Sequence, residues 1–476
     1  MRAAEIGQRT ALAGLFLYVI FAPHSVAASA IAIAIASLGW LLRILAGGGL
    51  GLRRTKFDLI ILLSLIWTVA SSVLSAEPAI SIAKVKASWC VFIFYLTRAV
   101  LTKRSTVALV VVLIVSAAAG SLFSIYDLIR GRGVVVESVA ANSPFRALNV
   151  QPADTIWRVA GKRVYSTNEI DDVVRSLPSN SVVTVSIISR GEHIERPGLG
   201  ITSEMQAPGA TAGVVGHERS HRFRASGWTR HYETFAELLQ MIAQLALGLG
   251  LAHLRNHGPN RVFKLIVPAT LLITIGIALT AMRTALVAFV AGAFLIAWRS
   301  THSWARLAVT FALFFLLAFG AVVVWETRAP SALLFGDDSS SLRSQIARVG
   351  LSRIPQHPVF GHGMDAMHRH WNEWGFPGKE MVHLHSTPLQ LAFDRGLPML
   401  GLWLWLMISF WLYIARAEKN AREHSDTNSY GILLGILGAL TGFLISSLAN
   451  YNYGDSEAVM LFWWLMGVGV RMKDEG

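Results

Sequence analysis

Twelve apolar stretches follow one another along the chain, separated by short polar connections and by two longer polar segments. Most of them approach the ~20 residues that an α-helix needs to cross the hydrocarbon core of a bilayer. The pattern therefore predicts an all-α polytopic membrane protein with about 12 transmembrane helices. The stretches lie at 10–23, 26–47, 57–75, 79–98, 105–128, 232–254, 261–279, 283–298, 305–325, 397–415, 430–449 and 456–470.

The composition supports a membrane protein and excludes several other classes. Of the 476 residues, 53% are hydrophobic and 15% are charged, whereas soluble domains carry roughly a quarter charged residues. Disordered chains and coiled coils are excluded, and so is a disulfide scaffold, because Cys90 is the only cysteine. Since Cys90 lies in an apolar run, it is interpreted as a packed residue and not as a nucleophile.

The first stretch has two interpretations. Residues 1–29 also fit a signal peptide, with Arg2 and Arg9 ahead of an apolar core and small residues after it. A retained first span is favoured, because the second apolar stretch follows after a few residues.

The basic residues predict the orientation. With the N-terminus inside, each short inner connection carries Lys or Arg, as at Arg53, Arg54 and Lys56, whereas the short outer turns at 22–25, 75–79 and 450–456 contain none. The positive-inside rule then predicts that both chain ends are cytoplasmic and that residues 129–231 and 326–396 face outward. Much of the net charge of +13 is thereby explained by topology, so the lipid bilayer is an expected partner and nucleic acid is not.

The first outer segment predicts a small α+β domain. Three β-rich runs, Val134–Val136, Thr155–Val159 and Val182–Ile188, are separated by Gly and Pro, and a helix is expected at Asn168–Ser176.

The order of Val139–Pro144, Val150–Ile156 and Val159–Lys162 resembles a bacterial PDZ domain over about residues 131–202. The resemblance implies a periplasmic peptide or protein partner, since PDZ domains add a peptide strand to a sheet edge. The usual Gly-rich carboxylate loop is not found ahead of Val134, and Gly198–Ile201 is a candidate only in a permuted domain. A spacer or docking module is the alternative.

These patterns divide the chain into six parts. They are transmembrane helices 1–5 (1–128), the PDZ-like domain (129–205), a linker with a basic segment (206–231), helices 6–9 (232–325), an Arg/His-rich helical loop (326–396) and helices 10–12 (397–476).

Ionisable residues gather at the predicted outer ends of the spans, where they form a functional-site hypothesis. Arg binds phosphate through planar, bidentate bonds and keeps its charge, and His can accept a proton near neutral pH. His385 is the candidate base, and His383 and Gln390, beside it at a helix start, are candidate substrate-binding residues. The candidate phosphate-binding cations are Arg283, Arg222, Arg224, Arg343, Lys84 and Lys86, whose alternative role is that of membrane-interface anchors.

Several of these residues lie in motifs that resemble the O-antigen ligase superfamily. The motifs are Arg224–Tyr232, the span that begins at Arg283, Ser341–Arg343, His357–Gly363, and His385–Gln390 with Gly396-Leu397. In place of the Asn that commonly follows the histidine and the acid that commonly precedes the Gly-Leu, this chain has Ser386 and Asp394-Arg395.

The resemblance implies a multi-pass protein of the bacterial inner (cytoplasmic) membrane with a periplasmic active site. It implies transfer of a glycan from undecaprenyl pyrophosphate to an acceptor hydroxyl, without a metal or other cofactor. His385 would be the base, and Arg283 and Arg224 would bind the pyrophosphate, with Lys84 or Lys86 assisting. A ligase would use the lipid A core as acceptor, a polymerase another lipid-linked glycan, and an oligosaccharyltransferase a protein.

Two metal-site hypotheses and one non-enzymatic class are the alternatives to glycan transfer. His217–His221 matches the zinc-protease pattern H-E-x-x-H, but it lies in a polar loop, and no acidic ligand motif follows in a later span. The pairs His368/His370 and His383/His385 form a second possible chelate. A lipid-linked glycan transporter would suit twelve spans, although no pair of Gly/Pro-broken spans marks a central site.

Overall fold

The computed structural model describes residues 2–189, 192–207, 209–229, 231–300, 303–327, 338–378 and 380–474. These residues fall into two compact units. The transmembrane unit contains the described residues within 1–121, 226–320 and 334–476, and the sheet unit contains those within 122–225 and 321–333.

Sixteen α-helices are found in the described part of the chain. They are α1 (Arg2–Phe21), α2 (Val26–Arg43), α3 (Asp58–Leu74), α4 (Pro78–Lys84), α5 (Phe92–Val100), α6 (Lys103–Arg130), α7 (Thr167–Ser176), α8 (Tyr232–His257), α9 (Arg261–Leu279), α10 (Arg283–Ser300), α11 (Ser303–Thr327), α12 (Asp338–Arg353), α13 (Ala366–Arg369), α14 (Thr387–Glu423), α15 (Thr427–Ser447) and α16 (Ser456–Asp474). A 3₁₀ segment, Val85–Val91, joins α4 to α5.

Helices fill each of the twelve predicted apolar stretches. In the described part of the chain, nine helical segments are long and apolar enough to cross a membrane, which is consistent with a polytopic membrane protein. The nine include α4 and α5 as one segment, whereas α3 is shorter, and α1 and α16 are not among them. The total of twelve crossings therefore stays a prediction.

Helices α8 and α15 form the centre of the transmembrane unit. Both are buried along most of their length, which is possible because small residues let their backbones meet. A Cβ atom added at Gly248 of α8 would lie 2.4 Å from the backbone nitrogen of Gly435 in α15. Helix pairs in membranes commonly use small residues in this way, since close backbone contact increases van der Waals packing.

An antiparallel sheet forms the sheet unit. Its strands are β1 (Arg132–Val139), β2 (Thr155–Val159), β3 (Lys162–Arg163), β4 (Val182–Ser189), β5 (Glu192–Gly200) and β6 (Val214–Ser220). They are ordered β5-β4-β2-β1-β6, and β3 also pairs with β2.

The sheet unit has its own core, to which the three predicted β-rich runs contribute. Val134, Ile156 and Val185 from β1, β2 and β4 pack with Ile170 of α7. The three predicted strands and the helix at 168–176 are thus confirmed. Strand β6 lies within the segment 206–231 that was expected to be a linker. The resemblance to a PDZ domain itself stays a prediction.

The His217–His221 segment does not have the conformation that a zinc-protease motif requires. Residues 217–220 belong to strand β6, so the two imidazoles are not one helical turn apart. The Nδ1 atom of His217 lies 3.0 Å from Glu137 Oε1, and His221 Nδ1 lies 2.7 Å from the Leu128 carbonyl oxygen. The zinc-protease hypothesis therefore loses its structural basis.

Candidate functional site

A cavity of about 530 Å³ lies within the transmembrane unit. Its polar lining comes from the end of α4, the turn before α13, the start of α8, the residues before and within the start of α14, and the turn between α15 and α16. Its apolar lining comes from α3, the 3₁₀ segment, α14 and α16. The polar residues that line it include Lys84, His231, Glu233, Glu237, Asp365, His383, His385, Gln390, Asp394, Arg395, Asn450, Asn452 and Asp455.

Two of the predicted histidines meet at this cavity. The rings of His383 and His385 have centroids 4.4 Å apart and lie nearly perpendicular to each other. His385 has a left-handed backbone with φ of 55°, which reverses the chain just before α14 begins. Its backbone N–H donates to His383 Nδ1 at 3.3 Å.

One ring contact and the burial of His385 describe the state of its imidazole. Its Nε2 lies 3.1 Å from the thioether sulfur of Met381, which can only accept a hydrogen bond. This contact is compatible with a neutral imidazole whose proton lies on Nε2, a tautomer that leaves Nδ1 as the proton acceptor. Burial lowers the pKa of His385 from 6.5 to about 3, and the nearby positive charge of Arg343 adds to this effect. The ring is thus neutral at physiological pH and able to accept a proton.

Gln390 fixes the chain on both sides of His385. Its Oε1 accepts a hydrogen bond from the backbone N–H of Leu384 at 2.6 Å. Its Nε2 donates to Asp394 Oδ1 at 2.8 Å, one turn further along α14. Gln390 therefore positions the two histidines and also lines the cavity, and its assignment as a substrate-binding residue stays a prediction.

The motif His357–Gly363 supports a kink in α14. Gly396 has φ of 79°, and a Cβ atom there would lie 1.8 Å from the carbonyl oxygen of Val359. The backbone N–H of Leu397 donates to the Pro358 carbonyl at 2.8 Å. The motif thus packs on the kink and sets the direction of Asp394 and Arg395, which precede it.

Two of the predicted cations hold carboxylates at the cavity. Lys84 Nζ lies 2.8 Å from Asp365 Oδ2, and Arg343 Nη2 lies 2.6 Å from Glu233 Oε1. Lys84, Asp365 and Glu233 line the cavity. Arg343 reaches it through Glu233.

Arg283 and Lys86 do not line the cavity in the described part of the chain. Arg283 follows the lining residue Met282, and its Nη2 donates to Ser340 Oγ at 2.8 Å. This contact joins the start of α10 to the start of α12. Lys86 is exposed on the 3₁₀ segment.

Arg222 and Arg224 belong to the sheet unit. Arg224 is buried there, and Arg222 is exposed, with its Nη2 3.7 Å from Glu326 Oε2. Their assignment as phosphate-binding residues stays a prediction.

The sequence did not single out Glu237, which is buried on α8 and lines the cavity. Its carboxylate accepts hydrogen bonds from Ser446 Oγ and, at 3.2 Å, from Asn450 Nδ2. Asn450 Nδ2 also lies 2.9 Å from Thr284 Oγ1. Glu237, Gln240 and Gln244 lie on one face of α8, within the otherwise apolar residues 235–252. This spacing is the sequence pattern from which Glu237 could have been predicted as a site residue.

Metal binding finds no support in the side chains that the structure describes. Among them, no group of three or more His, Cys, Asp or Glu residues could hold a metal ion. His370 instead bridges two carboxylates, with Nε2 2.8 Å from Glu77 Oε1 and Nδ1 2.6 Å from Glu373 Oε2. These two contacts raise the pKa of His370, with the Glu373 hydrogen bond as the largest cause.

A multi-pass membrane protein with a polar cavity at the ends of its helices is the class that these observations define. Residues 268–406 match the family model described as O-Antigen ligase. The matched residues contain Arg283, Arg343, His383, His385 and Gln390, and the match supports the O-antigen ligase superfamily. No curated protein matches the chain.

Proposed function

We propose that the protein is a glycosyltransferase of the O-antigen ligase type. It transfers a glycan from undecaprenyl pyrophosphate to an acceptor hydroxyl on the periplasmic side of the inner membrane. The acceptor that we place first is the lipid A core. The observation that carries this proposal is the neutral imidazole of His385 in a cavity rich in polar groups, inside the segment that matches the ligase family.

His385 acts as the general base in the proposed reaction. Its Nδ1 accepts the proton of the acceptor hydroxyl while the hydroxyl oxygen attacks the anomeric carbon. The bond from that carbon to the phosphate oxygen breaks, and undecaprenyl pyrophosphate leaves with the electron pair. One direct displacement of this kind inverts the anomeric centre. The reaction needs neither a metal nor a cofactor.

The cations stabilise the leaving pyrophosphate. Arg283 is the first candidate for this role, together with Arg224 and Arg222. Arg343 and Lys84 become available once the donor enters. In the structure, Arg343 and Lys84 form ion pairs with Glu233 and Asp365. A pyrophosphate replaces these carboxylates as the stronger, multiply charged partner. The negative charge of the pyrophosphate also raises the pKa of His385, which makes the base stronger when the donor is bound.

The orientation of the site follows from the charge pattern of the connections. The cavity is lined by residues such as His231, Lys84 and Asp455, which lie at the helix ends that the positive-inside rule assigns to the periplasm. Both chain ends are then cytoplasmic. The lipid-linked donor is available at this face of the membrane.

Three other functions remain as alternatives. A polymerase of the O-antigen or exopolysaccharide type uses another lipid-linked glycan as acceptor, and a protein O-oligosaccharyltransferase uses a protein hydroxyl. The sheet unit, if its likeness to a PDZ domain extends to peptide binding, favours a protein partner. A transporter of lipid-linked glycan would need no base at the position of His385.

A deletion strain tests these functions together. It is complemented with the wild-type gene or with His385→Ala, and lipopolysaccharide, secreted polysaccharide and lipid-linked glycans are extracted from each culture. Loss of capped lipopolysaccharide with accumulation of long lipid-linked chains is the expected result for a ligase. Accumulation of single-repeat lipid-linked units would identify a polymerase. Three unchanged pools would contradict both and favour protein glycosylation or transport.

A further inference from the structure

Arg395 is a cation of the cavity that the proposed reaction does not use. It lines the cavity beside Asp394, at the end of the first part of α14. Lys84 and Arg343 each have a carboxylate within 4 Å, but Arg395 forms no ion pair with any residue in the described part of the chain. Arg395 is half-buried, and a positive charge that is partly removed from water is costly unless an anion accompanies it.

The hydrogen bonds of Arg395 hold its backbone and leave much of its guanidinium available. Its carbonyl oxygen accepts a hydrogen bond from Trp67 Nε1 at 2.9 Å, which fixes the main chain against α3. Its Nη1 makes a long contact of 3.4 Å with Thr68 Oγ1. Its Nε is buried and has no hydrogen-bond partner among the described residues. Buried polar atoms in proteins are nearly always paired, and because Arg395 lines the cavity, a ligand in the cavity is a candidate partner for this atom.

An apolar surface continues from Arg395 away from the polar end of the cavity. On α3, Leu65 and Ile61 precede Thr68 by three and seven residues and lie on the same helix face, where Ser64 also lines the cavity. On α14, Met399 follows the kink and also lines the cavity. From Thr68 to Ile61 this surface extends by about 10 Å, at 1.5 Å per helical residue. The combination suits a ligand with an anionic head and a hydrocarbon chain.

We propose that Arg395 forms a second anion subsite of the cavity, which binds the phosphate-type head of an amphiphilic substrate whose hydrocarbon part lies along α3 and α14. The planar guanidinium suits a phosphate oxyanion, which it binds by two parallel hydrogen bonds. This subsite is separate from Arg283 and Arg343. It rests on the proposed function for the identity of the lipid, because both the lipid-linked donor and the lipid A core acceptor carry phosphate groups.

Binding to the purified full-length protein tests the subsite. The probes are undecaprenyl pyrophosphate, the phosphorylated lipid A core, its dephosphorylated form and uncharged undecaprenol. Arg395→Gln removes the charge, and Arg369→Gln is the matched control, since Arg369 is exposed and does not line the cavity. Arg395→Gln is expected to weaken binding of at least one phosphate-bearing probe about tenfold or more. Binding of undecaprenol is expected to stay unchanged in both variants.

The pattern of losses identifies the source of the phosphate. A loss for undecaprenyl pyrophosphate assigns the subsite to the donor, and a loss for the phosphorylated lipid A core assigns it to the acceptor. Wild-type affinity of folded Arg395→Gln for both probes overturns the subsite, as does a wild-type protein that binds neither probe. If the wild type transfers glycan and Arg395→Gln binds normally, the subsite fails and the function stands. If binding depends on Arg395 but no glycan pool changes in the deletion strain, the subsite stands and the function fails.

A second measurement needs no variant and so does not depend on the folding of Arg395→Gln. Phenylglyoxal modifies accessible arginines, and mass spectrometry reports the modification of Arg395 in the wild-type protein. A phosphate-bearing probe is expected to protect Arg395 at least threefold, while undecaprenol does not. Equal modification with and without the phosphate-bearing probes would contradict the proposal. Exposed Arg369 serves as the internal reference.

Discussion

The guanidinium of Arg343 and the carboxylate of Glu233 form an ion pair in which Nη2 and Oε1 are 2.6 Å apart. The pair connects α12, in the second predicted outer segment, to the first turn of α8. It also acts on His385 electrostatically, because Arg343 lowers the pKa of the imidazole and Glu233 raises it. Burial remains the larger cause, so the neutral state of His385 does not depend on this pair alone.

The pH dependence of transfer follows from the low pKa of His385. In the free protein the ring titrates near pH 3, so it stays neutral from pH 8 down to about pH 5. We expect kcat/KM, which reports free-enzyme groups, to show no loss of the base in this range. Arg343→Gln removes a charge that lowers the pKa and should move the acid limb to higher pH, whereas Glu233→Gln should move it lower. A wild-type acid limb centred near pH 6.5 would disagree with this assignment.

Replacing His385 should separate chemistry from binding. His385→Ala removes the base and is expected to lower kcat by about 10²- to 10⁴-fold, the usual contribution of a general base. Affinity for undecaprenyl pyrophosphate should change by less than about threefold. His368→Ala is the matched control, since His368 is exposed in the same outer segment and does not line the cavity. Full turnover by His385→Ala would remove this residue as the base.

Arg283 and its neighbour Ser340 provide a test of the pyrophosphate role. Arg283→Gln should weaken donor binding about tenfold or more and lower kcat, and Arg283→Lys should restore little, because an ammonium group lacks the bidentate fork. Ser340→Ala removes the partner of the 2.8 Å hydrogen bond while keeping Arg283. Near-normal donor binding is expected in this control. Equal losses in Ser340→Ala and Arg283→Gln would indicate that Arg283 has a structural role.

The sequence predicted the helices well because long apolar runs report membrane burial directly. The sequence also predicted several residues of the cavity as one group, because His383, His385 and Gln390 are close to one another at a helix start. Arg395 was noted as a departure from the family pattern, but its environment was not predictable. Its contact with Thr68 joins positions 327 residues apart and depends on the kink in α14.

Other features of the site also depended on long-range packing. Glu237 interacts with Asn450 across 213 positions, and no local pattern indicates that partner. The motif His357–Gly363 was recognised by its residues, yet its imidazoles are not chemical groups of the cavity. His362 is buried, with its Nε2 3.0 Å from the Arg353 carbonyl oxygen and its ring stacked on Phe393. Packing around the kink therefore explains this motif.

The boundaries of the sheet unit affect how its role should be tested. A deletion of 131–202 removes β1, whose Val134 pairs with Glu218 of β6, and leaves β6 without that neighbour. A deletion of 132–220 removes both strands together. If the insertion is regulatory, the larger deletion should retain glycan transfer within about threefold and give more folded protein than the smaller one, as measured by size-exclusion chromatography. Complete loss of transfer in a folded 132–220 deletion would assign an essential role to this unit.

Two glycines of α14 distinguish the kink from ordinary helix. Gly396→Ala places a Cβ atom 1.8 Å from the Val359 carbonyl oxygen at a φ of 79°, so it should destabilise the protein by about 3 kcal/mol or more and displace Arg395 and Asp394. Gly401→Ala meets nothing within 4 Å in a regular part of the same helix and should stabilise it by about 0.5–1 kcal/mol. Thermal unfolding in detergent, followed by intrinsic tryptophan fluorescence, measures both changes. A Gly396→Ala protein as stable as the wild type would show that the kink relaxes without cost. Transfer by that variant would then show whether the kink is needed to hold the site in place.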